Sequence, residues 1–145
     1  PVMSGYGMAG IALGEHAQEG DEALTVELFQ AGGRAVVVPE AKLDAITAVS
    51  GSGPAYVFYL AEAMENAARE LGLGEEAELL VSQTVLGGAH LLAESSASAA
   101  KLRAKVMSPG GTTEAAIHQL ETRGVADAVL EAIKAAEARS RELGA

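Results

Sequence analysis

The chain has 145 residues, 49% hydrophobic but only 3% aromatic, with 20 acidic against 10 basic side chains and a formal net charge of -10. That balance argues against nucleic acid or an anionic membrane surface as a partner. Cysteine is absent, which removes disulfides and thiol chemistry and fits a reducing cytoplasm, the expected location.

No apolar run reaches the roughly 18 residues that span a bilayer. No charged segment followed by an apolar one opens the sequence, so no signal peptide is read. The length suits one soluble domain with a real core and a small appendage. With aromatics this rare, packing rests on Ala, Leu, Val and Ile, and alanine-rich helices that approach closely suit a bundle or a helical dimer. The first residue is Pro1 rather than methionine, which reads as processing or truncation.

In chain order, Met8 to Leu13 is a short apolar run that reads as a strand. Asp21 to Gln30 spaces Ala23, Leu24, Leu28 and Phe29 among acids at helical intervals, and Gly32 and Gly33 stop it. Ala35 to Val38, bounded by Gly33 and Pro39, reads as a buried strand. These make one β-α-β unit, too small to stand alone, over residues 1–40. From Ala41 the pattern is helical throughout, so residues 41–145 form an all-helical domain and the fold class is mainly α. A short helix over Asp44 to Val49 ends at a Ser-Gly-Ser-Gly hinge. Pro54 suits the first turn of the next helix, which runs to Leu71 and stops at Gly72. Glu75 and Glu76 open another, to about Glu94, and Ser95 to Ser98 is a polar break. Further helices cover about Ala99 to Val106, Thr113 to Thr122 and Ala126 to Leu143.

Most polar constellations read as structure. Gly5-Tyr6-Gly7-Met8-Ala9-Gly10 matches the glycine spacing of a dinucleotide turn, but that turn needs a strand before it and a helix after it. Only four residues precede Gly5, and Ile11 to Gly14 is too short for the helix, so no cofactor site is assigned there. His16, His90 and His118 lack metal-ligand spacing and read as packing or surface residues. Glu62, Glu65 and Glu70 read as a solvated face, and Lys101, Arg103 and Lys105 as one solvated basic stretch. Tyr56, Phe58 and Tyr59 read as core or interface anchors. Gly87 and Gly88 interrupt a helix at about 1 kcal/mol each relative to alanine. Close contact with another helix explains them best.

One stretch points to chemistry. Met107-Ser108-Pro109-Gly110-Gly111-Thr112-Thr113-Glu114 runs from a tight turn into a helix. Pro109 fixes one φ, the glycines let a ligand approach the backbone, and Thr112 or Thr113 can cap the helix. The first amides of a helix lack internal partners and attract anions. On local physics the turn is either a cradle for a small carboxylate or phosphate, or a plain connector.

Three segments taken together carry a resemblance: Ala48 to Phe58 (AVSGSGPAYVF), Gln83 to Ala89 (QTVLGGA), and Val106 to Glu121 (VMSPGGTTEAAIHQLE). Their order and spacing resemble pyrroline-5-carboxylate reductase, an enzyme family that reduces the C=N bond of 1-pyrroline-5-carboxylate to give L-proline. The resemblance runs from about Gly5 to Leu143. It implies a helical dimerisation and substrate domain preceded by the last β-α-β unit of a Rossmann domain, most of which is not in this sequence. It also implies NADPH or NADH as cofactor, with no cofactor held by this chain alone. As partners it implies the substrate or L-proline and a homodimer or higher homo-oligomer of interlaced helical domains. Carried onto this sequence, the substrate carboxylate meets the backbone amides of Gly110, Gly111, Thr112 and Thr113 and the hydroxyl of Ser108. The hydroxyl of Thr113, the catalytic position, meets the ring nitrogen. No metal is implied. The competing reading is a non-catalytic helical dimerisation module, which has no need of an intact SPGGTT turn.

Overall fold

The structure is a computed structural model that describes residues 2–144. It contains two compact units: one comprises the residues up to Tyr56 together with those from Leu130 onward, and the other is Val57–Val129.

In the first unit, β1 (Gly7–Ile11), α1 (Glu22–Gln30) and β2 (Gly33–Val37) form the expected β-α-β arrangement. The strands are parallel, with Gly7 opposite Gly33 and Ile11 opposite Val37. The amide of Val38 donates to the Ile11 carbonyl at 2.8 Å and closes the ladder. β2 is not the buried strand its composition implies, because Val36 and Val37 are 37% and 42% exposed. A parallel strand is buried only when both faces of its sheet are covered. Two strands with one crossover helix leave much of this one open.

The segment after β2 also departs from expectation. A one-turn helix, α2 (Leu43–Ile46), passes into a π-helical turn over Thr47–Gly51 and then into α3 (Gly53–Glu70). No hinge forms at Ser50 to Gly53. Ser52 stays in the right-handed helical region, and its amide reaches five residues back to the Thr47 carbonyl at 2.8 Å. The wide turn absorbs one residue that an α-helical ladder has no place for. The Tyr56 hydroxyl braces it by donating to the Ala48 carbonyl at 2.9 Å. Later in the same unit, on α7 (Val125–Leu143), Ser140 donates from its hydroxyl to Asp44 Oδ1 at 2.7 Å, fixing the end of the chain to the start of α2.

In the second unit α3 ends in a Schellman motif. Gly72, at φ +86°, donates to the Arg69 carbonyl, and the Leu73 amide reaches back to Ala68. There follow α4 (Glu76–Glu94), α5 (Ala99–Lys105) and α6 (Thr112–Thr122). α5 is capped by the Ser98 hydroxyl, which accepts from the Lys101 amide.

The expected core is not built within this chain. Among the described residues the buried positions are Ala48, Ala68, Ala77 and Val81, and no large side chain is fully buried. Alanine takes three of these four positions, while many of the long apolar side chains are exposed. Phe58 and Tyr59 are 68% and 76% exposed, so of the two readings, core or interface anchor, the core one does not hold. No helix among the described residues is long and apolar enough to cross a membrane.

Candidate functional site

Sequence and structure agree on where the unusual backbone lies. Ser108 to Gly111 is a β-turn closed by the Gly111 amide donating to the Ser108 carbonyl at 2.9 Å. Proline at the second position and a left-handed glycine at the third, Gly110 with φ +71°, define a type II turn. Gly111 is the N-cap of α6 and has extended backbone angles. A Cβ on Gly111 would fall on the Ser108 hydroxyl, so only glycine lets the two residues approach this closely.

The turn leaves amides exposed in sequence. The first helical hydrogen bond to reach back to it is Ala115 N–H to the Gly111 carbonyl at 3.2 Å. Thr112, Thr113 and Glu114 come before it, and their amides have no carbonyl partner in the turn. No threonine hydroxyl caps the helix, contrary to the capping role read for Thr112 or Thr113. The N-cap is glycine, and the amide capped by a side chain lies one residue further back. Gly110 N–H donates to Glu114 Oε2 at 2.8 Å.

An open cavity of about 520 Å³ lies against this turn, walled by Gly110, Gly111, Glu114, Ile117, His118 and Glu121, among others. Of the five residues assigned from sequence, the cavity wall takes in Gly110 and Gly111. Ser108, Thr112 and Thr113 lie off it. The reason is helical phase: consecutive residues are about 100° apart around the axis, so Thr113 and Glu114 face different directions. Thr113 is half-buried and Thr112 exposed. Across the cavity Glu121 pairs with Arg103 of α5 at 3.3 Å, a partly exposed ion pair worth well under about 1 kcal/mol.

Glu114 and His118 were not assigned a role at this turn from sequence. The signal for Glu114 was present: an acid at the third position of a helix is a common back-capping residue. His118 had no such signal, since its place on the cavity follows only from being one turn beyond Glu114. His90 pairs with Glu94 at 3.1 Å on the exposed face of α4, and Glu65 pairs with Arg69 at 3.1 Å on α3. Among the described residues no cluster of His, Asp and Glu could hold a metal ion.

The model of pyrroline-5-carboxylate reductase dimerisation matches residues 40–143. The chain belongs to that family. Reductases of this name in Synechocystis and in Methanosarcina acetivorans are each 43% identical to it, over 99% and 94% of the chain respectively. The chain spans about half the length of these relatives, 54% and 51%. Among solved structures, a pyrroline-5-carboxylate reductase from Coxiella burnetii superposes with a TM-score of 0.88 at 42% identity, covering 93% of this chain and 51% of that one. The pyrroline carboxylate reductase from Plasmodium falciparum, solved with NADP bound, gives a TM-score of 0.87 at 28% identity and covers 100% of this chain and 59% of that one.

The β-α-β segment lacks the glycine turn of a dinucleotide fingerprint between β1 and α1. Gly7 to Ile11 form the strand itself, so the glycine motif is not a turn between strand and helix. Ahead of α1, Asp21 accepts from the Gln18 amide at 2.9 Å and Glu22 from the Gly20 amide at 3.0 Å. Two carboxylates thus close the turn that leads into α1 and put negative charge at its start.

Proposed function

We propose that this chain is the substrate-binding and dimerisation portion of a pyrroline-5-carboxylate reductase, acting in proline biosynthesis. The observation that carries the reading is the SPGG turn in a family-matched helical domain, with consecutive amides unpaired at the start of α6. In this reading the substrate carboxylate is held by the amides of Gly110, Thr112 and Thr113 and by the Ser108 hydroxyl, while the Gly111 amide assigned with them from sequence is spent on closing the turn against the Ser108 carbonyl. Aligned N–H groups at a helix start can hold a carboxylate without an arginine. The Thr113 hydroxyl orients the ring nitrogen of the imine. A threonine hydroxyl is a weak acid, so orientation rather than proton donation is its part. The hydride donor, NADPH or NADH, falls to parts of the enzyme that these 145 residues do not span.

The uncovered apolar side chains of α3 and α4 fit association with a second copy, and residues 41–145 act as the dimerisation and substrate domain in this reading. The segment 1–40 is then the end of a dinucleotide-binding domain.

The test is an NMR titration of the labelled protein with L-proline, repeated on Thr113→Val, with light scattering on the same samples. Saturable shifts at Gly110 to Thr113, weakened about tenfold in the variant, are expected for loss of one hydrogen bond to the ligand. A folded dimer without such shifts would instead identify a dimerisation module with no substrate site. A clean monomer at micromolar concentration would remove the dimer.

A further inference from the structure

The Glu114 side chain carries a consequence beyond capping, and it rests on the reading of the turn as a carboxylate site. In an ordinary capping box the acid at the third helical position reaches back to the amide of the N-cap residue. Here the N-cap amide, that of Gly111, is already bonded to the Ser108 carbonyl. Glu114 therefore reaches one residue further and takes the amide of Gly110, the left-handed residue of the turn. A carboxylate of this protein thus occupies one of the N–H groups that a bound carboxylate would use.

The surroundings favour displacement. Glu114 is exposed, and among the described residues no cation pairs with it. The other acid on the cavity wall, Glu121, is held by Arg103 at 3.3 Å. A hydrogen bond made by an exposed side chain nets little against water, and swinging the side chain away restores rotamer freedom. An incoming carboxylate gains the same Gly110 amide together with the unpaired amides of Thr112 and Thr113, so one carboxylate replaces another without leaving the turn unsatisfied.

We propose that Glu114 is an internal counter-ligand of the turn. It holds the Gly110 amide in the empty site, is displaced by the carboxylate of a small imino or amino acid, and so sets the affinity for that carboxylate. It positions the site and does not touch the reacting atoms. The role differs from pure capping in what it predicts. A cap stabilises α6 without regard to ligand, whereas a counter-ligand lowers affinity specifically for carboxylates.

The experiment compares wild-type protein, Glu114→Gln and Glu114→Ala, following the Gly110 amide by NMR and titrating with L-proline and with L-prolinamide, which lacks the carboxylate. In Glu114→Ala without ligand, the Gly110 amide is expected to shift and to exchange faster with solvent. L-Proline is expected to bind about three- to tenfold more tightly to Glu114→Ala, with Glu114→Gln in between. L-Prolinamide is expected to gain nothing. If wild-type binds L-proline and Glu114→Ala binds it no more tightly, the counter-ligand role is overturned while the carboxylate site stands. An equal gain for L-prolinamide also overturns it. If no variant binds L-proline although the Gly110 amide has shifted, the carboxylate reading of the turn fails, and the counter-ligand role fails with it.

Discussion

Replacing Gly87 and Gly88 together by alanine separates two accounts of the helical surface by sign. Both residues lie inside α4, well away from either end. Within this chain a Cβ at either position meets nothing within 4 Å, so the new methyl groups have no steric cost here. If solvent is all that lies over them, each substitution gains about 1 kcal/mol of helix propensity, and the pair makes the fold about 30-fold more favourable. If a helix of a second copy lies against the glycines, each methyl overpacks that contact, at about 1–3 kcal/mol. In a two-fold assembly the same substitution then acts in both copies. The expected outcome is the second: dimer dissociation at least about tenfold easier, read by light scattering over a dilution series. Urea unfolding at several protein concentrations supplies the companion reading, since loss of association makes the midpoint fall on dilution. A double variant that unfolds later than wild type and dimerises as before would refute the idea that the glycines serve close approach.

Two further perturbations address the turn and the π-helical segment. Gly111→Ala drives a methyl into Ser108 and opens the closed turn. It should weaken the L-proline response at Gly110 to Thr113 by about tenfold or more while leaving the far-ultraviolet helical signal intact, and undiminished affinity would count against the turn as the binding element. Tyr56→Phe removes the donor to the Ala48 carbonyl. It should reduce stability by about 1 kcal/mol in urea unfolding at fixed protein concentration, and an unchanged midpoint would mean that the wide turn stands without its brace.

The elements were legible in the sequence to within a few residues because their ends are marked chemically. Gly72 stops α3, Ser98 caps α5 and Pro109-Gly110 forces the turn, and each acts through its own backbone. What failed was whatever depends on matter outside the local window. β2 reads as buried because its composition is that of a covered strand, yet composition cannot show that the sheet here has two strands. Phe58 and Tyr59 read equally as core or interface, since an apolar ring looks the same facing either. The hinge at Ser50 to Gly53 was misread because serine and glycine usually break helices, and the Tyr56 hydroxyl that braces the turn lies on the next element. The candidate site shows the same division. The amides of the turn followed from Pro-Gly-Gly, whereas which residues of α6 line the cavity depends on helical phase that starts only at Gly111.

The wide turn at Thr47–Gly51 also acts as a phase shift. A π-helical turn holds one residue more than an α-helical one, so the first turn of α3, Gly53 to Tyr56, is rotated by about 100° from where an unbroken ladder continuing α2 would point it. The direction in which Tyr56 faces, and with it the reach of its hydroxyl to the Ala48 carbonyl, is therefore set upstream by a residue count rather than by its own identity. Excising a single residue such as Ser50 would keep every apolar side chain of α3 and its helical propensity. It would nonetheless carry the Tyr56 hydroxyl off the Ala48 carbonyl, so the brace can be broken by changing length alone, with no substitution at either of the residues that form it.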